Sequence, residues 1–174
     1  MIKRCVIGMG NPLLCDDMVG LMVATQARER FADQSDPGTS FAENTSGGFD
    51  LMYDLDGFDE AMIIDSIASG SCEPGTLVDM TLDDISFTAQ PRLIDSHGLN
   101  LATVIAAGKK CGMKMPDHIT ILGIEGRDFQ TFSDAPTRAV FEAIPAAVVR
   151  VGKFLCINEQ TVDRAALHLE KESS

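Results

Sequence analysis

Two isoleucine-rich runs constrain the fold of this chain more than any other feature. Residues 61–67, AMIIDSI, and residues 118–125, HITILGIE, are short and apolar at most positions. Strands without a clean polar face are typical of a sheet that is covered on both sides, and such sheets are mostly parallel. Helical patterns occupy the stretches between the strand-like runs, and this alternation predicts an α/β domain.

Three more strands and four helices are predicted from the same patterns. The additional strands are RCVIGM, TSFAENT and, as an edge strand, GTLVDMT. The helices are Asp17 to Arg30, GGFDLMYDL, HGLNLATVIAAGKK, and Ala135 to Leu155. Because proline lacks the N–H that a helix interior needs, we expect the last helix to be interrupted at Pro145.

These elements predict one three-layer α/β/α domain over residues 1–157. Its central sheet is expected to be twisted and mainly parallel, with about five strands. A chain of 174 residues is long enough to bury a proper core in one domain. The polar end of the sequence predicts a frayed tail at residues 158–174.

Net charge and cysteine usage exclude several classes of function. The formal net charge of −12 opposes binding to nucleic acid or to an anionic membrane surface. The five cysteines are odd in number and contain no C-x-x-C pair, which predicts reduced thiols that pack in the structure. No signal peptide is recognisable, and no apolar run approaches the roughly 20 residues that span a bilayer. We therefore expect a cytoplasmic monomer.

The polar residues that follow the predicted strands identify a candidate site. In an open parallel sheet, ligands bind outside the carboxyl ends of the strands. The residues at those positions, together with a histidine in the loop that opens a helix, are Asn11, Asp16, Asp17, Asp65, Glu125 and His97. These side chains are therefore expected to lie at one edge of the sheet.

Two interpretations of these residues compete. Taken singly, Asp16 and Asp17 stand where a helix begins and are typical helix caps, Asp65 is positioned to bind loop amides, and a lone histidine before a helix is usually a surface residue. Taken together, two carboxylates and one imidazole on different loops form a three-ligand metal site with open positions. Such mixed ligation suits nickel, iron, manganese or zinc.

The glycines after the first strand do not indicate a dinucleotide site. That fingerprint requires a third glycine for close packing of helix against strand, and Leu13 occupies the position. Two adjacent aspartates where phosphates would bind also oppose this interpretation.

Four blocks of sequence resemble those of a known family. GMGNPLLCDDMVG (residues 8–20) is similar to the opening motif G-x-G-N-x-L-x-x-D-[DE]-x-x-G of the [NiFe]-hydrogenase maturation endopeptidases. The resemblance continues, in the same order, to about residue 155. The further blocks are GGFDLMYDLDGFDEAMIIDSI, SHGLNLATV and ILGIEGRDFQTFSDAPTRAVFEAIPAAV.

The resemblance implies a site, a substrate and a phosphorylase/hydrolase-like fold. Matched motif to motif, the metal ligands and catalytic residues of the family fall on Asp17, Asp65 and His97. Family members remove a C-terminal extension from the hydrogenase large-subunit precursor once nickel is in place. Nickel is therefore expected to come with the substrate, and zinc or cadmium to be able to occupy the site in vitro. The family has an Asp-Gly-Gly-type turn where this chain has ENTSGG, so Glu43 or Asn44 is expected to face the substrate.

Both the chemistry and the function have alternatives at this stage. The metal can polarise the scissile carbonyl or activate water, or a carboxylate can act as general base while the metal serves only for docking. A nickel-dependent docking or chaperone module would bind the same precursor and cut nothing. A peptidyl-tRNA hydrolase also opens with G-x-G-N-P, but it needs a histidine soon afterwards, and residues 12–30 contain none.

Overall fold

A computed structural model describes residues 1–82, 84 and 101–157, and these contain one five-stranded sheet. The order of its strands is β2-β1-β3-β5-β4, and β4 alone of the five runs antiparallel to its neighbour. The strands are β1 (Arg4–Met9), β2 (Thr39–Asn44), β3 (Glu60–Ile67), β4 (Leu77–Thr81) and β5 (His118–Glu125). The mainly parallel sheet and the edge position of GTLVDMT are confirmed.

Helices cover both faces of this sheet. They are α1 (Val19–Phe31), α2 (Asp50–Leu55), α3 (Leu101–Lys110) and α4 (Arg138–Phe154). Helices α1 and α4 share a core with Ile64 of β3, whereas α2 and α3 share a second core with the adjacent Ile63. Because neighbouring residues of a strand point to opposite faces, an apolar strand supplies both cores. The predicted three-layer α/β/α architecture is confirmed.

The predicted interruption at Pro145 is wrong, because α4 continues through it from Arg138 to Phe154. The missing N–H leaves only the carbonyl of Phe141 without its helical partner, and Phe141 is 39% exposed, so water can reach this side of the helix. On the core-facing side of the helix, Ile144 and Val148 are buried and hold both halves in place. Packing therefore outweighs the local preference of proline.

Two other details differ from the expectations, and two expected features are not described. The helix predicted from Asp17 begins as a 3-10 turn, Asp16–Met18, and α1 follows at Val19. Strand β3 extends two residues beyond Asp65, so this aspartate lies within the strand. The beginning of the HGLNLATVIAAGKK helix and the predicted tail at 158–174 lie outside the described residues.

Close packing of α1 on the sheet determines where the candidate site forms. A Cβ added at Gly20 would lie 2.3 Å from the carbonyl oxygen of Met9 and 2.4 Å from that of Ile64. A side chain at position 20 would therefore push α1 away from both β1 and β3. Glycine keeps the start of α1 at the carboxyl ends of these strands, where ligands bind in parallel sheets. In the described parts of the chain, no helix is long and apolar enough to cross a membrane.

Candidate active site

Asp17 is held at the sheet edge by two hydrogen bonds. It lies in the 3-10 turn before α1 and is 3% exposed. Its Oδ2 accepts the backbone N–H of Asn11 at 3.1 Å, and its Oδ1 accepts the hydroxyl of Ser66 at 3.0 Å. Gly10, with φ of +146°, makes the turn possible, because a Cβ there would lie 1.9 Å from the carbonyl oxygen of Asp17.

Asp65 is fully buried, and only one of its two carboxylate oxygens has a hydrogen-bond partner among the described residues. Its exposure is 0%, and its Oδ1 accepts the N–H of Ser66 at 2.8 Å. Its Oδ2 is a buried atom for which the described residues supply no hydrogen-bond partner. Burial, and secondly the negative charge of Asp17, raise the pKa of Asp65 to about 8. The two carboxylates therefore interact, and Ser66 bonds to both of them.

Asp16 has a different environment although it is next to Asp17 in sequence. It is 0% exposed, and its Oδ2 accepts the backbone N–H groups of Arg127 at 2.7 Å and Asp128 at 2.8 Å. Its Oδ1 accepts the N–H of Thr137 at 2.7 Å, so both oxygens are occupied. Neither the 3-10 turn nor α1 has a side-chain cap, so the capping interpretation of Asp16 and Asp17 is wrong.

Glu125 is, like Asp16, a saturated carboxylate, by which we mean that it accepts at least three hydrogen bonds. It is 2% exposed and ends β5. Its Oε2 accepts the hydroxyl of Ser69 at 2.7 Å and the N–H of the same residue at 3.3 Å, while its Oε1 accepts the N–H of Gly70 at 2.8 Å. Glu125 therefore holds the loop after β3 and presents no free oxygen for a ligand.

Of the three predicted metal ligands, the structure brings Asp17 and Asp65 together. His97 lies outside the described residues, as do its neighbours in the loop. Within the ranges that are described, no group of three or more His, Cys, Asp or Glu side chains is arranged to hold a metal ion. The assignment of His97 as the third ligand stays a prediction.

The two residues predicted to face the substrate have separate environments. Asn44 is 5% exposed; its side chain donates to Asp54 at 2.6 Å and accepts the N–H of Gly47 at 2.7 Å, which shapes the turn after β2. Glu43 is exposed and accepts the hydroxyl of Thr25 at 2.8 Å. It also lines a groove of about 280 Å³ beside α1. A role in substrate recognition stays a prediction for both.

The cysteines show no sign of activation. All five are unpaired, and Cys5 and Cys15 are buried. Burial raises the pKa of Cys5 to about 12 and is also the main cause of the raised pKa of Cys15, to which the charge of Asp16 contributes. A nucleophilic cysteine needs a stabilised thiolate, which these environments disfavour.

Sequence reasoning missed the roles of three residues at this edge. Ser66 was recognisable only as the neighbour of Asp65, and nothing in its position indicated a bond to Asp17, which is 49 residues away. Asp16 and Glu125 were recognisable as acids after strands, but not as acceptors for loop N–H groups. The sequence feature that could have indicated this acceptor role is an acid at the end of a strand, followed by a loop that contains glycine.

Comparison with known proteins identifies the family of this chain. The family model described as HycI, hydrogenase maturation protease, matches residues 29–153. Hydrogenase 2 maturation protease of Escherichia coli K12 is 29% identical over 130 residues, which are 71% of this chain and 73% of the relative. The hydrogenase expression/formation protein HupD of Rhizobium leguminosarum bv. viciae is 27% identical over 143 residues, which are 82% of this chain and 69% of that protein.

A solved structure shares the fold. Hydrogenase maturating endopeptidase HybD from E. coli superposes with a TM-score of 0.73 at 23% identity, covering 88% of this chain and 92% of that one. Because the family model spans well over half of its residues, the chain belongs to the hydrogenase maturation proteases, a family of endopeptidases.

Proposed function

We propose that this protein is a metal-dependent endopeptidase that removes the C-terminal extension of a nickel-loaded [NiFe]-hydrogenase large-subunit precursor. The observation that carries the proposal is the buried pair of Asp17 and Asp65, in which Oδ2 of Asp65 has no partner among the described residues. Family membership supports the reaction class. Within this structure, the pair is the feature that supports metal-assisted cleavage.

The residues present fit a divalent cation. Burial and the nearby charge of Asp17 both disfavour the ionised form of Asp65, and a cation bound by the two carboxylates would offset both effects. The buried Oδ2 of Asp65 is free to become a ligand, whereas the oxygens of Asp16 are all engaged by N–H groups. We assign Asp17, Asp65 and His97 as the ligands, with the nickel ion itself arriving as part of the substrate.

The chain's own residues supply acid–base chemistry beside this ion. When bound, nickel polarises a carbonyl or lowers the pKa of a water molecule. In the metal-free protein Asp65, whose pKa is about 8, holds a proton near neutral pH; it releases this proton when it becomes a ligand, and its carboxylate can then act as general base. Ser66 keeps both carboxylates oriented through its N–H and its hydroxyl. This arrangement suits an aspartic-type mechanism in which the metal also signals that the precursor is loaded.

The partner is proposed from the family and from the position of the site. Glu43 lies on the surface near the end of β2, at the same sheet edge as Asp17, and Asn44 holds the turn that follows. We propose that this turn contacts the folded precursor and contributes to the choice of hydrogenase. The unpaired cysteines support a cytoplasmic location, where we propose that the protein acts as a monomer.

Gating by nickel distinguishes this function from general proteolysis. Purified protein is mixed with folded precursor that carries nickel, with nickel-free precursor, with a peptide spanning the extension junction, and with casein. Mass spectrometry is expected to show shortening of the nickel-loaded precursor alone, because the metal completes the recognition. Efficient cutting of the nickel-free precursor would contradict the gating. Stable binding of the loaded precursor without any shortening would instead favour the docking or chaperone function.

A further inference from the structure

The carboxylate of Asp16 connects two loops that meet beside Asp17. Its oxygens accept N–H groups from Arg127 and Asp128, which directly follow β5, and from Thr137, which precedes α4. The three donor–acceptor distances are 2.7, 2.8 and 2.7 Å, and the side chain is fully buried. Charge-assisted bonds of this length to main-chain groups fix a loop more firmly than neutral bonds do.

Main-chain bonds reinforce the same junction. The N–H of Asp16 donates to the carbonyl of Asp128 at 2.9 Å, and the N–H of Cys15 donates to the carbonyl of Thr131 at 2.9 Å. A β-bridge pairs Leu14 with Phe132. The segment before Asp17 is therefore anchored to the β5–α4 loop, residues 126–137, through both its backbone and one side chain.

Asp17 lies between this anchor and a second one. On one side its carboxylate accepts the N–H of Asn11, and on the other its backbone is continuous with Asp16. We propose that Asp16 is a positioning residue: by holding the β5–α4 loop against the segment before Asp17, it keeps the Asp17 carboxylate in place to engage the metal and Ser66. This inference rests on the proposed function, and it assigns no ligand role to Asp16.

The substitution Asp16→Asn tests the idea with little change in size. An asparagine has one acceptor oxygen, so its NH2 group would face at least one of the N–H groups from Arg127, Asp128 and Thr137. The junction should loosen and Asp17 should shift. Replacement by glutamate is not suitable, because the additional methylene group would move the carboxylate away from the three N–H groups that it accepts.

A milder variant weakens the same junction by changing Thr137, one of the residues whose N–H group Asp16 accepts. Thr137 has φ of −57°, which proline adopts without strain, and the buried hydroxyl of Thr137 has no partner in the described residues. Thr137→Pro therefore removes the N–H that Thr137 donates to Asp16, and with it the backbone contact of Thr137 to the thiol of Cys15. Val151→Ala is the control for general destabilisation, because Val151 is fully buried in the core of α4 and contacts neither loop.

Three measurements on the full-length protein report the position of Asp17. The amide signal of Asn11, which donates to Asp17, is followed by NMR and hydrogen exchange. Affinity for nickel(II) chloride alone is measured by calorimetry, and processing of the nickel-loaded precursor is resolved into kcat and KM. For Asp16→Asn we expect a shifted, less protected Asn11 amide and a loss of about 10- to 100-fold in nickel affinity and in kcat, with KM changed less than about threefold.

The controls separate positioning from mere stability. Thr137→Pro should change the same three quantities in the same direction but less, by about three- to tenfold. Val151→Ala should lower Tm by several degrees and leave the Asn11 amide, nickel affinity and kcat at their wild-type values.

The possible contrary results distinguish an error in the role of Asp16 from an error in the proposed function. A folded Asp16→Asn protein with a wild-type Asn11 amide and nickel affinity would overturn the inference, and if that variant does not fold, wild-type values in Thr137→Pro would do so. Failure of the wild-type protein to shorten the loaded precursor would instead refute the proposed function. The Asn11 amide would still decide whether Asp16 positions Asp17.

Discussion

Two sets of buried carboxylates at one sheet edge differ in how their oxygens are satisfied. Asp16 and Glu125 each accept three hydrogen bonds, mostly from loop N–H groups. Asp17 and Asp65 accept fewer, and Oδ2 of Asp65 has no described partner. All four are nearly inaccessible to solvent. Burial alone therefore does not distinguish the four acids, whereas an unsatisfied oxygen beside a second negative charge marks the pair that we propose as the active site.

The largest expected effect tests the unsatisfied pair. Asp17→Asn and Asp65→Asn keep the size of the side chain but remove a charged oxygen, so each should reduce processing of the loaded precursor by about 10³-fold. Precursor shortening is measured by mass spectrometry, and folding by circular dichroism. Asp33→Asn, an exposed aspartate at the far end of α1, is the matched control and should process normally. Full activity in both site variants would eliminate this pair as the active site.

Glu125, the member of the saturated set that is not adjacent to Asp17, should affect stability more than chemistry. Glu125→Gln leaves at least one N–H of the loop after β3 facing an NH2 group, so the free energy of unfolding should fall by about 1–3 kcal/mol. Because Tm changes by about 2–4 °C per kcal/mol in a domain of this size, the loss is measurable by thermal denaturation. Glu29→Gln, on an exposed part of α1, should leave Tm unchanged. A Glu125→Gln variant as stable as the wild type would remove the distinction between the two sets.

The free energy of unfolding should depend on pH in the wild-type protein, and this dependence should be absent without Asp65. The pKa of Asp65 is about 8 in the folded protein against 3.8 for the ordinary group, so the folded state binds the proton more tightly than the unfolded state. The stabilisation is fully present below about pH 4 and is lost as the pH rises through 8. In the metal-free wild-type protein, the free energy of unfolding should therefore fall over this range.

Asp65→Asn removes that dependence. At pH 8 the variant should be more stable than the metal-free wild type by roughly 1–3 kcal/mol, because it buries no charge next to Asp17. Denaturant unfolding in the presence of a chelator measures the difference. Added nickel should raise the Tm of the wild type and not that of the variant. Identical pH profiles for the two proteins would show that Asp65 is ionised at neutral pH.

The smallest expected effect concerns the thiol next to the saturated carboxylate. Cys15 is buried, and its pKa is raised by burial and by Asp16, so a thiolate nucleophile is disfavoured. Cys15→Ala should change kcat by less than about threefold, because it removes only the weak hydrogen bonds of the thiol to the carbonyl of Ala135 at 3.5 Å and to Oδ1 of Asp16 at 3.9 Å and leaves the N–H groups that Asp16 accepts in place. Alkylation of the exposed Cys72 and Cys111 should have no effect on processing. Loss of activity in the alanine variant would point to thiol chemistry at this edge.

Much of the fold was predictable because it depends on local patterns. RCVIGM and HITILGIE coincide with β1 and β5, since short apolar runs become strands wherever both faces of a sheet are covered. Pro145 was misjudged for the opposite reason: its effect depends on which side of α4 faces solvent, and only the packing of Ile144 and Val148 decides that. In the site, the motif match selected Asp17 and Asp65, and the structure shows that these two interact.

The sequence by itself determined that acids would gather at the carboxyl edge of a parallel sheet, because each acid follows or ends an apolar run. It did not determine which acid would interact with Asp65. Asp16 and Asp17 are identical and adjacent, yet Asp16 bonds to N–H groups 111 to 121 residues away. Asp17 instead bonds to the nearby N–H of Asn11 and to a hydroxyl 49 residues away. Only the tertiary structure decides this, because partners so distant in sequence are brought together by the packing of α1, β3 and the β5–α4 loop.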